Sequence, residues 1–174
     1  MVTIEGNNIT ILESEMTFGI YDVEHCYLIE NSKGHVSLGE GFKMVEFTLL
    51  RPEGLYVIEA KKSIPRPNSA PEYDNFWQDI LEKMDNALQL HVMAHIRRND
   101  VAHSELPEEI QGINLSTVNF LLRLVIPDVP DKYLPEITQT FRQRAAKLKR
   151  KWVLNELHIA VINKNKARTA GLVI

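Results

Sequence analysis

The run TVNFLLRLVI (Thr117–Ile126) is almost continuously apolar and is closed by Pro127 and Pro130. Strand length without alternation is the pattern of a central strand buried on both faces, so this segment must be covered from two sides. Neighbouring periodicities can supply the covers. From about Tyr73 to Arg98, residues Trp77, Ile80, Leu81, Met84, Leu88 and Val92 form an i, i+3, i+4 stripe, the mark of a packed helix. A second helix is expected from about Asp131 to Trp152, and LHIAVIN (Leu157–Asn163) reads as a final buried strand.

Upstream, residues 2–12 read as a strand pair about the GNN turn. Phe42–Leu50 and Leu55–Lys61 read as a hairpin joined by RPEG, where proline presets one turn dihedral and glycine accepts a positive one. Residues 16–31 suit either a short helix capped by Asp22 or a strand through CYLIE. NSKGHVSLGEG, SIPRPNSAP and the segment around SELPEEIQGIN are expected as loops. The order predicts an α/β (α+β mixed) fold with one central mixed β-sheet and helices on its faces. With 174 residues, 44% of them apolar, the chain suits a single domain over residues 1–174.

The net charge is only −3, but it is unevenly spread. Residues 136–174 hold nine Lys/Arg against two Glu, about +7, which leaves about −10 for residues 1–135. A single cysteine, Cys26, excludes an internal disulfide. The start MVTIEGNNITILESE lacks a basic stretch followed by an apolar one, and no segment is long and apolar enough to span a bilayer. A soluble cytoplasmic protein without a membrane partner is the expectation.

The hairpin carries the chemistry. If Leu50 pairs with Leu55, cross-strand partners have numbers summing to 105, and Glu46 falls opposite Glu59. Alternation then puts Met44, Glu46, Thr48, Leu50, Leu55, Val57, Glu59 and Lys61 on one face, and Val45, Phe47, Leu49, Tyr56, Ile58 and Ala60 on the other. A one-residue slip would send the two acids to opposite faces. Facing carboxylates repel by about 0.2–1 kcal/mol, and by more when partly buried, so something has to compensate. A hard divalent cation, Mg²⁺ or Mn²⁺, held by the two carboxylates would do so, with the Lys61 ammonium directed at the same place. Metal-activated water beside a lysine is the apparatus of phosphodiester hydrolysis.

This segment resembles the PD-(D/E)xK nuclease superfamily, the restriction-endonuclease-like fold, with Glu46 followed after twelve residues by Glu59-Ala60-Lys61. The likeness spans about residues 15–126; the first acid is Glu rather than Asp, and no proline precedes it. The resemblance implies that Glu46, Glu59 and the Ala60 carbonyl bind Mg²⁺ or Mn²⁺ and that Lys61 positions the attacking water. It further implies assistance from an upstream glutamate, Glu30 before Glu24, or from Gln78. Nucleic acid, DNA before RNA, would be the substrate, in bacterial defence or DNA processing, with a homodimer or a larger defence complex as assembly. The same fold without catalysis would serve as a nucleic-acid or protein-binding module. The phrase VEFTLL…YVIEAKKS is also similar to small bacterial proteins of unassigned function.

FRQRAAKLKRKW (Phe141–Trp152) concentrates Arg142, Arg144, Lys147, Lys149, Arg150 and Lys151 on one helix, a solvated face that can also contact phosphates. Three other constellations compete. Arg98 and His103, with four residues between them in RRNDVAH, resemble the arginine–histidine signature of HEPN ribonucleases, which implies metal-free RNA cleavage. His91 and His95 lie one helical turn apart as zinc ligands would, although a packing role suits them better. Cys26 beside His25 reads as a core thiol.

Overall fold

The computed structural model describes residues 1–174. Strands β1 (Val2–Glu5), β2 (Asn8–Glu13) and β3 (Met16–Asp22) form an antiparallel meander. A second, five-stranded sheet contains β4 (Cys26–Tyr27), β5 (Phe47–Arg51), β6 (Gly54–Ala60), β7 (Phe120–Val125) and β8 (Ile159–Ile162), in that spatial order. It is mixed: β4, β5 and β6 pair antiparallel, whereas β6, β7 and β8 run parallel. Helices α1 (Lys33–Ser37), α2 (Glu72–His95), α3 (Asp100–Glu105), α4 (Glu108–Gln111), α5 (Leu134–Arg144), α6 (Ala146–Trp152) and α7 (Lys164–Thr169) complete the chain. The mixed α/β class expected from the sequence is the one observed.

All seven residues of β6 are buried, because the sheet is covered on both sides. On one side Leu55 and Val57 join Trp77, Ile80 and Met84 of α2 and Phe141 of α5. On the other, Tyr56, Ile58 and Ala60 join Ile9 and Phe18 of the meander and Ala167 of α7. Two aromatic contacts key these layers: Trp77 stacks on Phe141 at 5.6 Å, and Phe18 meets the edge of Phe47 at 5.4 Å. Such pairs add about 0.5–1.5 kcal/mol beyond their burial.

The segment after α7 closes the meander. Phe18 bridges Val173, the Tyr21 hydroxyl donates to the Leu172 carbonyl, and Ile174 N–H donates to the Thr17 carbonyl. Arg51 forks onto the carbonyls of Ala170 (2.6 Å) and Gly171 (2.5 Å), anchoring this segment to the hairpin.

Several expectations are corrected. Instead of one sheet there are two, because the N-terminal pair gains a third strand and packs across the main sheet. The open segment 16–31 resolves as β3, β4 and a 3-10 turn at Ile29–Asn31. The loop NSKGHVSLGEG contains α1, whose start is stabilised from a distance: the Glu105 carboxylate accepts from Lys33 N–H (2.9 Å) and Gly34 N–H (2.7 Å). The expected helix 131–152 is broken at Ala145 into α5 and α6. Asn99 and Asn163 cap α3 and α7, and α4 forms inside the expected loop SELPEEIQGIN, so three further helices appear that were not expected.

In the hairpin, Arg51 pairs with Gly54, so only Pro52 and Glu53 form the turn rather than all of RPEG; the register nevertheless keeps Leu50 opposite Leu55. The first strand is shorter than expected, starting at Phe47, so Val45 leaves the alternation and packs beside Met44 in the helix-side core.

Gly54 fixes this register. Its φ is +149°, and a Cβ there would lie 2.3 Å from the Asn119 carbonyl oxygen. Gly54→Ala is therefore expected to cost about 2–3 kcal/mol in chemical denaturation through combined backbone strain and overpacking. A midpoint unchanged from wild type would contradict this.

Candidate active site

Glu59 stands near the end of β6 with its side chain 0% exposed. One oxygen, Oε1, accepts from Lys83 Nζ at 2.8 Å and Lys61 Nζ at 3.0 Å. The other, Oε2, is buried with no partner. Burial pushes the Glu59 carboxyl above its ordinary range, and the two lysines pull against that shift without cancelling it. Lys61 also reaches Asp79 Oδ2 at 3.6 Å, and Asp79 pairs with Lys43 at 3.0 Å.

Glu46 lies one residue before β5, just beyond the paired register, where the charges of Glu59 and Glu30 both act on its carboxyl. Its carboxyl is pushed up to about 9, first by burial, then by the charges of Glu59 and Glu30 and a hydrogen bond with Glu30, with a smaller contribution from Glu13. The shift favours the protonated form of Glu46. Neighbouring carboxylates need relief, and here the raised Glu46 pKa and the lysines at Glu59 provide it.

Glu30 arrives on the 3-10 turn after β4. That turn is fixed by Ser32 Oγ donating to the Ile29 carbonyl (2.7 Å) and by His35 Nδ1 against the Glu30 carbonyl (2.6 Å). Glu105 braces it further, accepting from the Tyr27 hydroxyl at 2.6 Å as well as from α1. Glu46, Glu59, Lys61 and Glu30 are thus brought together. The alternative upstream acid, Glu24, is elsewhere, accepting from Glu108 N–H at the start of α4. Gln78 is exposed and lines an open cleft with Lys61 and Asp79 rather than joining the carboxyls. Ala60 lies in the β6–β7 ladder with its methyl in the opposite core.

Lys83 was missed by the sequence argument. Its signal was present: it lies three residues after Ile80 and four before Ala87, both wholly buried, so a lysine occupies the inward stripe of α2. Its side chain is only 12% exposed. Burial opposes its charge, but Glu59, Glu46 and Glu30 outweigh burial and raise its pKa.

No three His, Cys, Asp or Glu side chains stand together as a ready metal-binding group. The donor set nevertheless suits a hard cation, since it offers carboxylate oxygens alone, one of them the orphaned, buried Oε2 of Glu59.

The basic helix is partly neutralised. Arg144 pairs with Asp74 (2.7 Å), Lys149 with Glu156 (3.0 Å) and Lys151 with Asp85 (2.8 Å), while Arg142 Nε donates to the Ile159 carbonyl. Lys147 and Arg150 are exposed in the cleft between α2 and α6. Arg98 is exposed and makes no bond to His103, whose Nδ1 is tied to the Ala94 carbonyl at 3.1 Å. His91 is buried against Thr48 Oγ1 (2.8 Å), its pKa lowered to about 3 by burial, and both ring nitrogens of His95 meet backbone carbonyls. Cys26 is a core thiol pushed up to about 12 by burial.

The raised Glu46 has a thermodynamic signature. Between its unfolded pKa, near 4.5, and about 9, the folded state holds a proton that the unfolded state has released, so stability falls as pH rises through this window. Glu46→Gln is expected to raise Tm at pH 8 and to change it less at pH 5; an equal shift at both would contradict the assignment. No family model, curated protein or solved structure matches the chain.

Proposed function

We propose that the protein is a Mg²⁺- or Mn²⁺-dependent nuclease of the PD-(D/E)xK type that hydrolyses phosphodiesters, with DNA preferred over RNA as substrate. The supporting observation is the asymmetric Glu59 carboxylate: one oxygen bound by two lysines, the other buried and unpartnered, with Glu46 and Glu30 beside it. Glu46 and Glu59, with the Ala60 carbonyl, would hold the cation. When bound, that ion supplies Lewis acidity and a water of lowered pKa. Protonated Glu46 is held by its hydrogen bond with Glu30; as a ligand it would lose that proton, and with it this bond. Lys61 orients the nucleophile or offsets negative charge developing at the phosphate. Lys83 holds Glu59 in place from α2. Lys147 and Arg150 supply phosphate contacts. A cytoplasmic setting and a role in bacterial defence or DNA processing belong to this same reading. No helix is long and apolar enough to cross a membrane.

A second reading is a non-catalytic binding module with this architecture. It is favoured by Lys83, which already provides a counter-charge for Glu59 at 2.8 Å. Purified protein incubated with Mn²⁺ and single- or double-stranded DNA separates the two. On the nuclease reading, Glu59→Ala and Lys61→Ala lower cleavage by about 100-fold or more while the fold, checked by circular dichroism, is retained. Cleavage that survives both substitutions would end the assignment. Intact binding without cleavage in wild type and variants alike would establish the module.

A further inference from the structure

A cavity of about 450 Å³ opens at the carboxyl ends of β6 and β7, beside the acid and lysine cluster. It is lined by Lys62, the residue after Lys61, by Ile126 just beyond β7, and by Tyr73, Tyr133 and Ile137 from the helical layer. The outer ends of parallel strands are where open α/β sheets receive ligands, and this volume lies within the range of small-ligand sites.

The wall chemistry narrows the occupant. Tyr73 and Tyr133 offer aromatic surface, and Ile126 and Ile137 an apolar floor, which suits a flat ring. Asp128 and Glu136 also line the cavity, so a free phosphate inside it would be repelled, whereas a ring carrying amino donors would be held. Arg144, paired with Asp74, lies over the Tyr73 ring at 5.7 Å and Lys132 over Tyr133 at 4.8 Å, while Lys62, which itself lines the cavity, is exposed and pairs with Glu15 at 3.1 Å. An apolar slot whose exposed lining carries two unpaired acids, Asp128 and Glu136, and one lysine already paired with Glu15 suits a base bearing amino donors, with its phosphates outside.

We infer that this cavity receives a single unpaired nucleobase, one bearing an exocyclic amino group, from the strand whose phosphate lies at Glu59 and Lys61. The inference rests on the nuclease reading and extends it to a substrate class. A base lodged there cannot remain in a duplex, so the substrate is single-stranded or has a nucleotide turned out of the stack. Cytosine and thymine provide the sharpest contrast, being alike in size, with only cytosine carrying an amino donor at the ring edge.

Fluorescence anisotropy with short labelled oligo-dC, oligo-dT and a blunt duplex, in Ca²⁺, tests the inference on the full chain. Wild type is expected to bind oligo-dC more tightly than oligo-dT, and both more tightly than duplex. Tyr133, 47% exposed, can be altered with little disturbance to the core. Tyr133→Ala should weaken oligo-dC binding by roughly tenfold, the loss of one stacked base, while Tyr133→Phe retains it. Thr140→Trp, which fills the cavity, should weaken binding similarly, and Glu136→Gln should narrow the difference between oligo-dC and oligo-dT. Binding unchanged in Tyr133→Ala and Thr140→Trp, with Glu59-dependent cleavage intact, would overturn the cavity assignment and leave the nuclease reading standing. Absence of both binding and cleavage in wild type would overturn the two together.

Discussion

A carboxylate placed in a strand buried on both faces has to be neutralised where it stands, and Glu59 imposes that requirement on the layers around it. Lys61 follows on the same strand and Lys83 comes from the helix packed above, so the polar contact is built into the interface between α2 and the sheet. Removing one member of a buried pair leaves its partner charged and desolvated, which makes such contacts costly to break and specific about geometry. The constraint thus orients α2 relative to β6, in addition to the stripe of Trp77, Ile80 and Met84 that packs it.

The second consequence is protonic. Three glutamates share a small, partly dry volume with two lysines, and Glu46, lacking an ammonium of its own, has its pKa raised by burial and by its acidic neighbours. One acid is therefore shifted towards its neutral form while another is clamped as an ion acceptor, a division set by surroundings and not by residue type. Sites that perform acid–base or metal chemistry are organised in this way, although ion-pair networks with no catalytic role also shift pKa values.

The parts of this arrangement legible in the sequence were those encoded by short-range periodicity. The stripe of α2, the unbroken apolar run of β7 and the turn at Pro52 each declare themselves locally, and the turn was enough to set Leu50 opposite Leu55. Elements held by distant partners were not legible. α1 depends on Glu105, far along the chain, to satisfy its first N–H groups, and Gly34 is required because a Cβ would meet Ala102 at 2.7 Å. Lys83 was overlooked because a lysine near an apolar stripe is ordinarily solvated; only the placement of Glu59 beneath α2 gives it an inward partner. The same reasoning explains the basic helix, half of whose charges face acids on α2 or a neighbouring turn that periodicity cannot locate.

The closure of the meander by Leu172 and Val173 has a consequence for how the chain is made. β1, β2 and β3 are synthesised well before the residues that seal their inner face, and Arg51 well before the carbonyls it grips, so both wait until position 173 has left the ribosome. Until that segment has emerged and docked, the N-terminal sheet is an apolar surface waiting for its lid, so it is open to misassembly over most of the elongation of this region.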